Sequence, residues 1–225
     1  MPADHGGQWP FGKWNLYDAG IRTPLIISWK GHIKPQTRTE AMVSWIDIFP
    51  TILDIVEADV PKGLDGNSFA NVLFGESNHH RDYIFTTHTN DGRMNVYPIR
   101  SIRGEKYKYI LNQLPYCYHG NHSDILRKDG AGAYWNSWDS LAKINSAAEA
   151  IICKYYIRPK EEFYDLQNDP LEQHNLIDNA QYHKEISNMR NLLNEWLKEQ
   201  GDKLKLSQEP WLLYEDRPSK DDFSK

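Results

Sequence analysis

The chain has only two cysteines in 225 residues, Cys117 and Cys153. A disulfide framework is therefore excluded, which leaves one bridge or two free thiols. Basic charge is also scarce: 26 Lys and Arg stand against 31 Asp and Glu, for a formal net charge of -5. A nucleic-acid binder would need a basic face, so that class is set aside. No apolar run reaches the roughly 20 residues of a membrane-spanning helix. The opening MPADHGGQWP lacks the charged-then-apolar order of a secretory leader. There is no internal repeat and no low-complexity stretch. What is present is a globular composition, 40% hydrophobic and 25% charged, enough for a real core. The 8 Trp, 13 Tyr and 7 Phe are ordinary core material or stacking surfaces for sugars.

The order of elements follows from pattern and punctuation. Residues 1–20 have loop composition, dense in Gly, His, Asp and Trp. Thr23 to Trp29 (TPLIISW) is a short β-branched run that predicts a buried strand of a parallel sheet. Ile46, Phe49, Ile52, Leu53 and Val56 recur at helical spacing. Ser44 or Asp47 near the cap and Pro50 in the first turn would start that helix. Tyr83 to Thr87 predicts a strand, and Ile99 to Arg103 with Lys106 to Leu111 a β-hairpin around Gly104-Glu105. An alanine-rich helix is expected around Ser146 to Ile152, then a last strand over Glu162 to Leu166. Ala180 to Gln200 follows as an amphipathic helix with Ile186, Met189, Leu193, Trp196 and Leu197 on one face. The charged tail from Gly201 is expected to be loosely held. The whole reads as α/β with an appended small sheet.

Asp4-His5-Gly6, followed nine residues after Asp4 by Lys13, is the cluster with chemistry in it. A carboxylate and an imidazole side by side can both reach one cation, with Gly6 and Gly7 letting the backbone turn beside it. Lys13 can return to the same place and pair with an anion as a point charge. On spacing alone an Asp-His pair is more often plain surface polarity, and the pattern by itself does not decide. His88, in the polar loop TTHTNDGRMNVYPIR, stands with Asn90, Asp91 and Arg93, where Arg93 could pair with an anionic sugar substituent. A solvated loop is the competing reading. Tyr97 and Arg100 read as packing and positional residues. Asn121-His122-Ser123 fits a glycosylation acceptor.

DHGGQWPFGKWNLYDAGIRTPLIISWKG resembles the downstream metal-binding motif of the sulfatase family, at Asp4, His5, Gly6, Lys13, Tyr17, Arg22 and Pro24. The likeness continues through VSWIDIFPTILDIVEADVPKGLDGNSFANVLFGE, with Asp47, Pro50, Thr51, Asp65 and Gly66 in the family's order. IRSIRGEKYKYI is similar to its hairpin and EEFYDLQNDPLEQHNLI to its closing strand and turn, so the resemblance runs from about Asp4 to Trp196. The hairpin, the aromatic insertion after it and Pro210-Trp211 look most like the heparan N-sulfatase (N-sulfoglucosamine sulfohydrolase) branch and bacterial sulfatases of sulfated glycans.

The resemblance implies a partial alkaline-phosphatase-like α/β fold with a C-terminal small domain built on an antiparallel sheet and a terminal helix. Residues 1–80 would be the C-terminal part of the large domain, 81–200 the small α+β domain and 201–225 a tail. It implies hydrolysis of sulfate esters or sulfamates on a sulfated, heparan-type saccharide. A phosphonate or phosphate monoester hydrolase of the same superfamily, or a non-catalytic glycan-binding module resting on Trp135 and Trp138, are the alternatives. Carried over by position, Asp4 and His5 would ligate a divalent cation, most simply Ca2+. His5 could instead hydrogen-bond the sulfate or leaving group, since calcium prefers oxygen donors. Lys13 would contact the sulfate oxygens as a catalytic and substrate-binding residue, with His88 and Arg93 meeting the sugar. The family's formylglycine arises in a C-x-P-x-R motif. Cys117 lies in PYCYHG and Cys153 in IICKY, and neither fits. The nucleophile and the remaining ligands are therefore expected upstream, in an N-terminal segment of the same protein, and the isolated chain is expected to be inactive. Export to the periplasm, cell surface or lysosome is the family's habit.

Overall fold

The computed structural model describes residues 7–128, 130 and 132–223. The described residues divide into two compact units, one of residues 24–84 and 103–105, the other drawn from residues 7–23, 85–102 and 106–223.

A four-stranded antiparallel sheet carries the second unit, in the order β1 (Tyr83–His88), β2 (Ile99–Gly104), β3 (Tyr107–Asn112), β4 (Glu161–Asp165). Strands β2 and β3 form the hairpin that their alternation predicts, turning at Glu105-Lys106, one residue later than the expected Gly104-Glu105. Strand β4 returns antiparallel to β3, with Tyr107 opposite Asp165 and Leu111 opposite Glu161. Between β3 and β4 the chain makes a helical excursion, Trp135–Ala142 and Ser146–Tyr156. The second of these is the alanine-rich helix; the first carries no clear periodic signal. Helix His183–Glu199 lays Ile186, Met189 and Leu193 into the interior, and Trp196 stacks on Phe85 with centroids 4.8 Å apart.

The core is aromatic. Leu16, Tyr17, Tyr97, Ile99, Ile110, Tyr164 and Leu166 form one buried cluster, and Trp135, Tyr155 and Tyr156 another. Trp135 has no exposed surface, and Trp138 packs against that cluster. Trp135 is thus core rather than a sugar platform. Asn121 is 2% exposed: its carbonyl oxygen caps helix His122–Leu126 and its amide donates to Tyr155 Oη at 2.6 Å. A side chain so committed is no glycosylation acceptor.

The tail is not loose. Asp202 makes a two-point pair with Arg100 at 2.7 and 3.0 Å. Residues 211–213 then run beside 116–118, joined by Tyr118 N to Trp211 O at 2.8 Å and Leu213 N to Tyr116 O at 2.9 Å. Arg217 pairs with Asp139 at 2.8 Å. Two of the tail's charges, Asp202 and Arg217, are thus spent on specific partners. Cys117 is buried under this strap, opposite Leu212, while Cys153 is exposed; both are free thiols.

In the first unit, helix Ile48–Ile55 forms as its spacing predicts, entered through a short turn at Trp45–Asp47. Buried Asp47 is its hub. Its carboxylate accepts from Ser44 N and Asn67 N, each at 2.9 Å, from Arg81 Nε at 2.7 Å, and lies 3.1 Å from His80 Nε2. Burial pushes the Asp47 carboxyl up, but the Arg81 and backbone hydrogen bonds outweigh it and hold it below its usual range. Gly66 is obligatory here, because a Cβ would meet Ile46 O at 1.9 Å. The motif order Asp47, Thr51, Gly66 is therefore a folding device. The run at Thr23–Trp29 departs from its expectation: only Leu25 is bridged, and Ile26 is 66% exposed. A parallel strand needs flanking strands, and the described residues supply no sheet around it.

Candidate functional site

Asp4 and His5 lie outside the described residues. From Gly7 on, the loop is tight: Lys13 N donates to Gly7 O at 2.9 Å, and Gly12 packs backbone against backbone, with no room for a Cβ (Gly7 O at 2.4 Å). Phe11 and Trp14, on either side of Lys13, both have left-handed backbones, φ 64° and 68°. Bulky residues adopt that region at a cost of roughly 1–2 kcal/mol each, so their surroundings must fix them.

Those surroundings come from far along the chain. Phe11 sits edge-on to Tyr17 and Tyr155 and under the Arg158 guanidinium, 4.9 Å from its ring. Arg158 is 3% exposed and donates to Tyr17 Oη, to Tyr155 O at 3.1 Å and to Asn15 Oδ1 at 3.3 Å. Tyr17 Oη donates in turn to Glu162 Oε2 at 2.6 Å, where Tyr164 also donates at 2.5 Å and Asn112 serves the other oxygen at 2.8 Å. Burial raises the Tyr17 hydroxyl far above the ordinary phenol value, so it stays protonated as a donor. One residue on, Asp18 pairs with fully buried Lys108 of β3, which also meets Glu172 Oε1 at 2.8 Å. Asp18 N donates to the other Glu172 oxygen at 2.5 Å. Tyr17, picked out by motif, is thus an anchor that ties the loop to β4.

Trp14 makes the other link. Its indole Nε1 donates to Asp91 Oδ2 at 2.9 Å, and its ring stacks on His122 with centroids 5.1 Å apart at 23°. The Lys13 ammonium lies 4.7 Å over the same indole. Asp91 belongs to the loop singled out around His88 and Arg93. That loop is pinned by Asp91 N to Asn95 Oδ1 at 3.0 Å, by His88 Nε2 against Asn95 O at 3.2 Å, and by Asn90 to Ser207 Oγ at 2.9 Å. The His88 ring rests on Tyr97, centroids 4.8 Å apart, and burial lowers its pKa so that it is neutral at physiological pH. Tyr97 and Arg100 are buried and positional, as their context suggests; Tyr97 stacks on His119 and Arg100 donates to His88 O.

The structure therefore joins the Lys13 loop to the His88 loop through Trp14 and Asp91. Arg93 goes elsewhere, with its guanidinium 5.6 Å over the Phe223 ring. Sequence reasoning missed Trp14 and His122. A large aromatic directly beside the candidate lysine, in the run GGQWPFGKW, was the available signal. As for a cation, no three of His, Cys, Asp and Glu converge among the described residues. The described residues alone do not fit a divalent metal.

Comparison with known proteins adds the context. The family described as N-sulphoglucosamine sulphohydrolase, C-terminal, matches residues 5–121. An ulvan-active sulfatase of Formosa agariphila is 32% identical over 202 residues, 89% of this chain and 37% of its own length. Human N-sulphoglucosamine sulphohydrolase is 26% identical, over 95% of this chain and 42% of its own. Among solved structures, a 2-O GAG sulfatase superposes with a TM-score of 0.61 at 21% identity, covering 92% of this chain and 38% of that one, which shows the fold. The chain spans about two-fifths or less of the length of these relatives.

Proposed function

The chain belongs to the N-sulphoglucosamine sulphohydrolase C-terminal family, and on that premise we propose that it is the C-terminal part of a sulfatase that hydrolyses sulfate esters or sulfamates of a sulfated saccharide. In this reading, residues 1–80 are the end of the large α/β domain, 81–200 the small domain and 201–225 the tail closing it. Lys13 contacts the oxygens of the sulfate. A point charge held there lowers the energy of the negative charge that builds as the S–O or S–N bond breaks. His88, neutral, meets the sugar or its anionic substituents. Asp4 and His5 contribute to a divalent cation site, for Ca2+, whose other donors lie outside the described residues. The formylglycine nucleophile belongs to a further segment, and the complete protein works in an exported compartment. Among the described residues no helix is long and apolar enough to cross a membrane.

One observation carries the reading: the loop around Lys13 is held in a costly backbone conformation by buried partners more than a hundred residues away, as a positioned ion-binding loop would be. The names of the relatives, one active on ulvan and one on N-sulphoglucosamine, support a saccharide carrying sulfate as ester or sulfamate. The test is an assay of the chain joined to its family's nucleophile-bearing portion, against aryl sulfate, N-sulfoglucosamine and an aryl phosphonate ester. Sulfate or sulfamate turnover is expected, and Lys13→Ala should lower kcat by about 100-fold. Preference for the phosphonate, or turnover unchanged by Lys13→Ala, would overturn the reading.

A further inference from the structure

Lysine is a poor instrument for placing charge. Its four-carbon stem carries about 2 kcal/mol of rotamer entropy, so a lysine that serves as a fixed point charge needs something to lean on. Among the described residues, a surface within reach of the Lys13 ammonium is the Trp14 indole, 4.7 Å to the ring centroid. The indole is itself fixed at three points. Its backbone is left-handed at φ 68°, its ring stacks on His122, and its N–H is held by Asp91 at 2.9 Å. Asp91 is in turn set by Asn95, the residue whose carbonyl also meets His88.

We propose that Trp14 is a positioning residue for Lys13, clamped by Asp91 and His122, and that the Asp91 hydrogen bond couples the loop carrying His88 to the placement of the Lys13 charge. The inference rests on the reading of Lys13 as the sulfate-contacting cation and adds to it a specific device. Occupancy of the His88 side by a saccharide would be felt at Lys13 through one hydrogen bond. A merely structural tryptophan would make no such link.

Two measurements test it. In the 15N-labelled chain the Trp14 indole N–H, identified by its loss in Trp14→Phe, should be downfield and slow to exchange. Asp91→Leu should speed its exchange about tenfold or more, and Asp91→Asn, which keeps an oxygen acceptor, should largely restore protection. In the active assembly, Trp14→Phe and Asp91→Leu should each lower kcat about tenfold with KM within threefold. The double variant should be no worse than either single, because both remove the same bond. Wild-type turnover in both single variants, or losses that multiply in the double, would overturn the clamp. If Lys13→Ala itself leaves turnover intact, the reading of Lys13 falls and the clamp's catalytic role falls with it, whereas the exchange result still reports whether Trp14 is held. Thermal unfolding within a few degrees of wild type in each variant confirms that the fold is intact.

Discussion

The two units deal with charge and oil in opposite ways. The unit built on the sheet buries ions: Lys108 with Asp18 and Glu172, Arg158 with Tyr17 and Glu162, each with its partners supplied inside the unit. The unit built on Pro24–Ile84 buries one charged hub, Asp47, along with Phe69, Ala70 and Val72, and turns one apolar helix face out. Ile46, Phe49, Ile52 and Val56, at the spacing that would normally face a core, are 49%, 53%, 54% and 63% exposed. The first arrangement is self-contained and intolerant of deletion, since a buried charge without its partner costs several kcal/mol. The second is tolerant at its surface and hangs on a single carboxylate.

The sharpest way to break the contrast is to remove a partner. Lys108→Ala removes the cation facing the buried Glu172 carboxylate, and the sheet unit should lose about 3–5 kcal/mol, read as the midpoint shift in urea unfolding. Asp47→Ala frees Arg81, His80 and two backbone donors at once. It should cost the other unit about 2–3 kcal/mol, seen as faster amide exchange across helix Ile48–Ile55 with β3 and β4 unaffected.

Acidity separates two buried carboxylates, Asp124 and Asp47. Asp124, buried beside Asn121 and Tyr155, has its carboxyl raised by burial to about 6, above its value of about 3.8 in the unfolded chain. A raised acid stabilises the fold while it is protonated, so its contribution is full below about pH 4 and is lost as pH climbs through 6. Asp47 is the reverse: its stabilisation is present above its unfolded value and disappears as pH falls further. Asp124→Asn keeps an oxygen for both Asn121 N and the Tyr155 hydroxyl. It should raise stability at pH 7 by on the order of 2 kcal/mol and flatten the profile between pH 4 and 6. The smallest effect belongs to the outward apolar face, where Ile52→Lys should change stability by less than about 0.5 kcal/mol. It should also reduce the binding of an apolar dye, a direct check that this face meets solvent.

Legibility in the sequence follows the same divide between local and distant causes. The hairpin, the capping turn at Ser44–Asp47 and the terminal helix with Ile186, Met189 and Leu193 inside were readable because each is written in neighbouring residues. Helix Trp135–Ala142 was not, since its apolar residues serve an aromatic cluster rather than one regular stripe. The candidate site was half legible. Lys13 and His88 carry recognisable chemistry, but what holds their loops is Asp91 on Trp14 and Arg158 on Tyr17, pairs 77 and 141 residues apart. No periodicity encodes a contact of that separation. The burial of Asn121 was invisible for the same reason, because its Tyr155 partner lies on a different element.

The strap of residues 211–213 also bears on how the molecule can be watched. It lies across Cys117, whose thiol burial pushes up to about 11, while Cys153 stands in solvent on helix Ser146–Tyr156. A maleimide fluorophore at neutral pH should therefore take one equivalent, at Cys153, and yield a labelled protein with no engineering. Uptake of a second equivalent would announce that the C-terminus has peeled away, which makes titration of sulfhydryls a one-tube assay of whether that end of the polypeptide is seated.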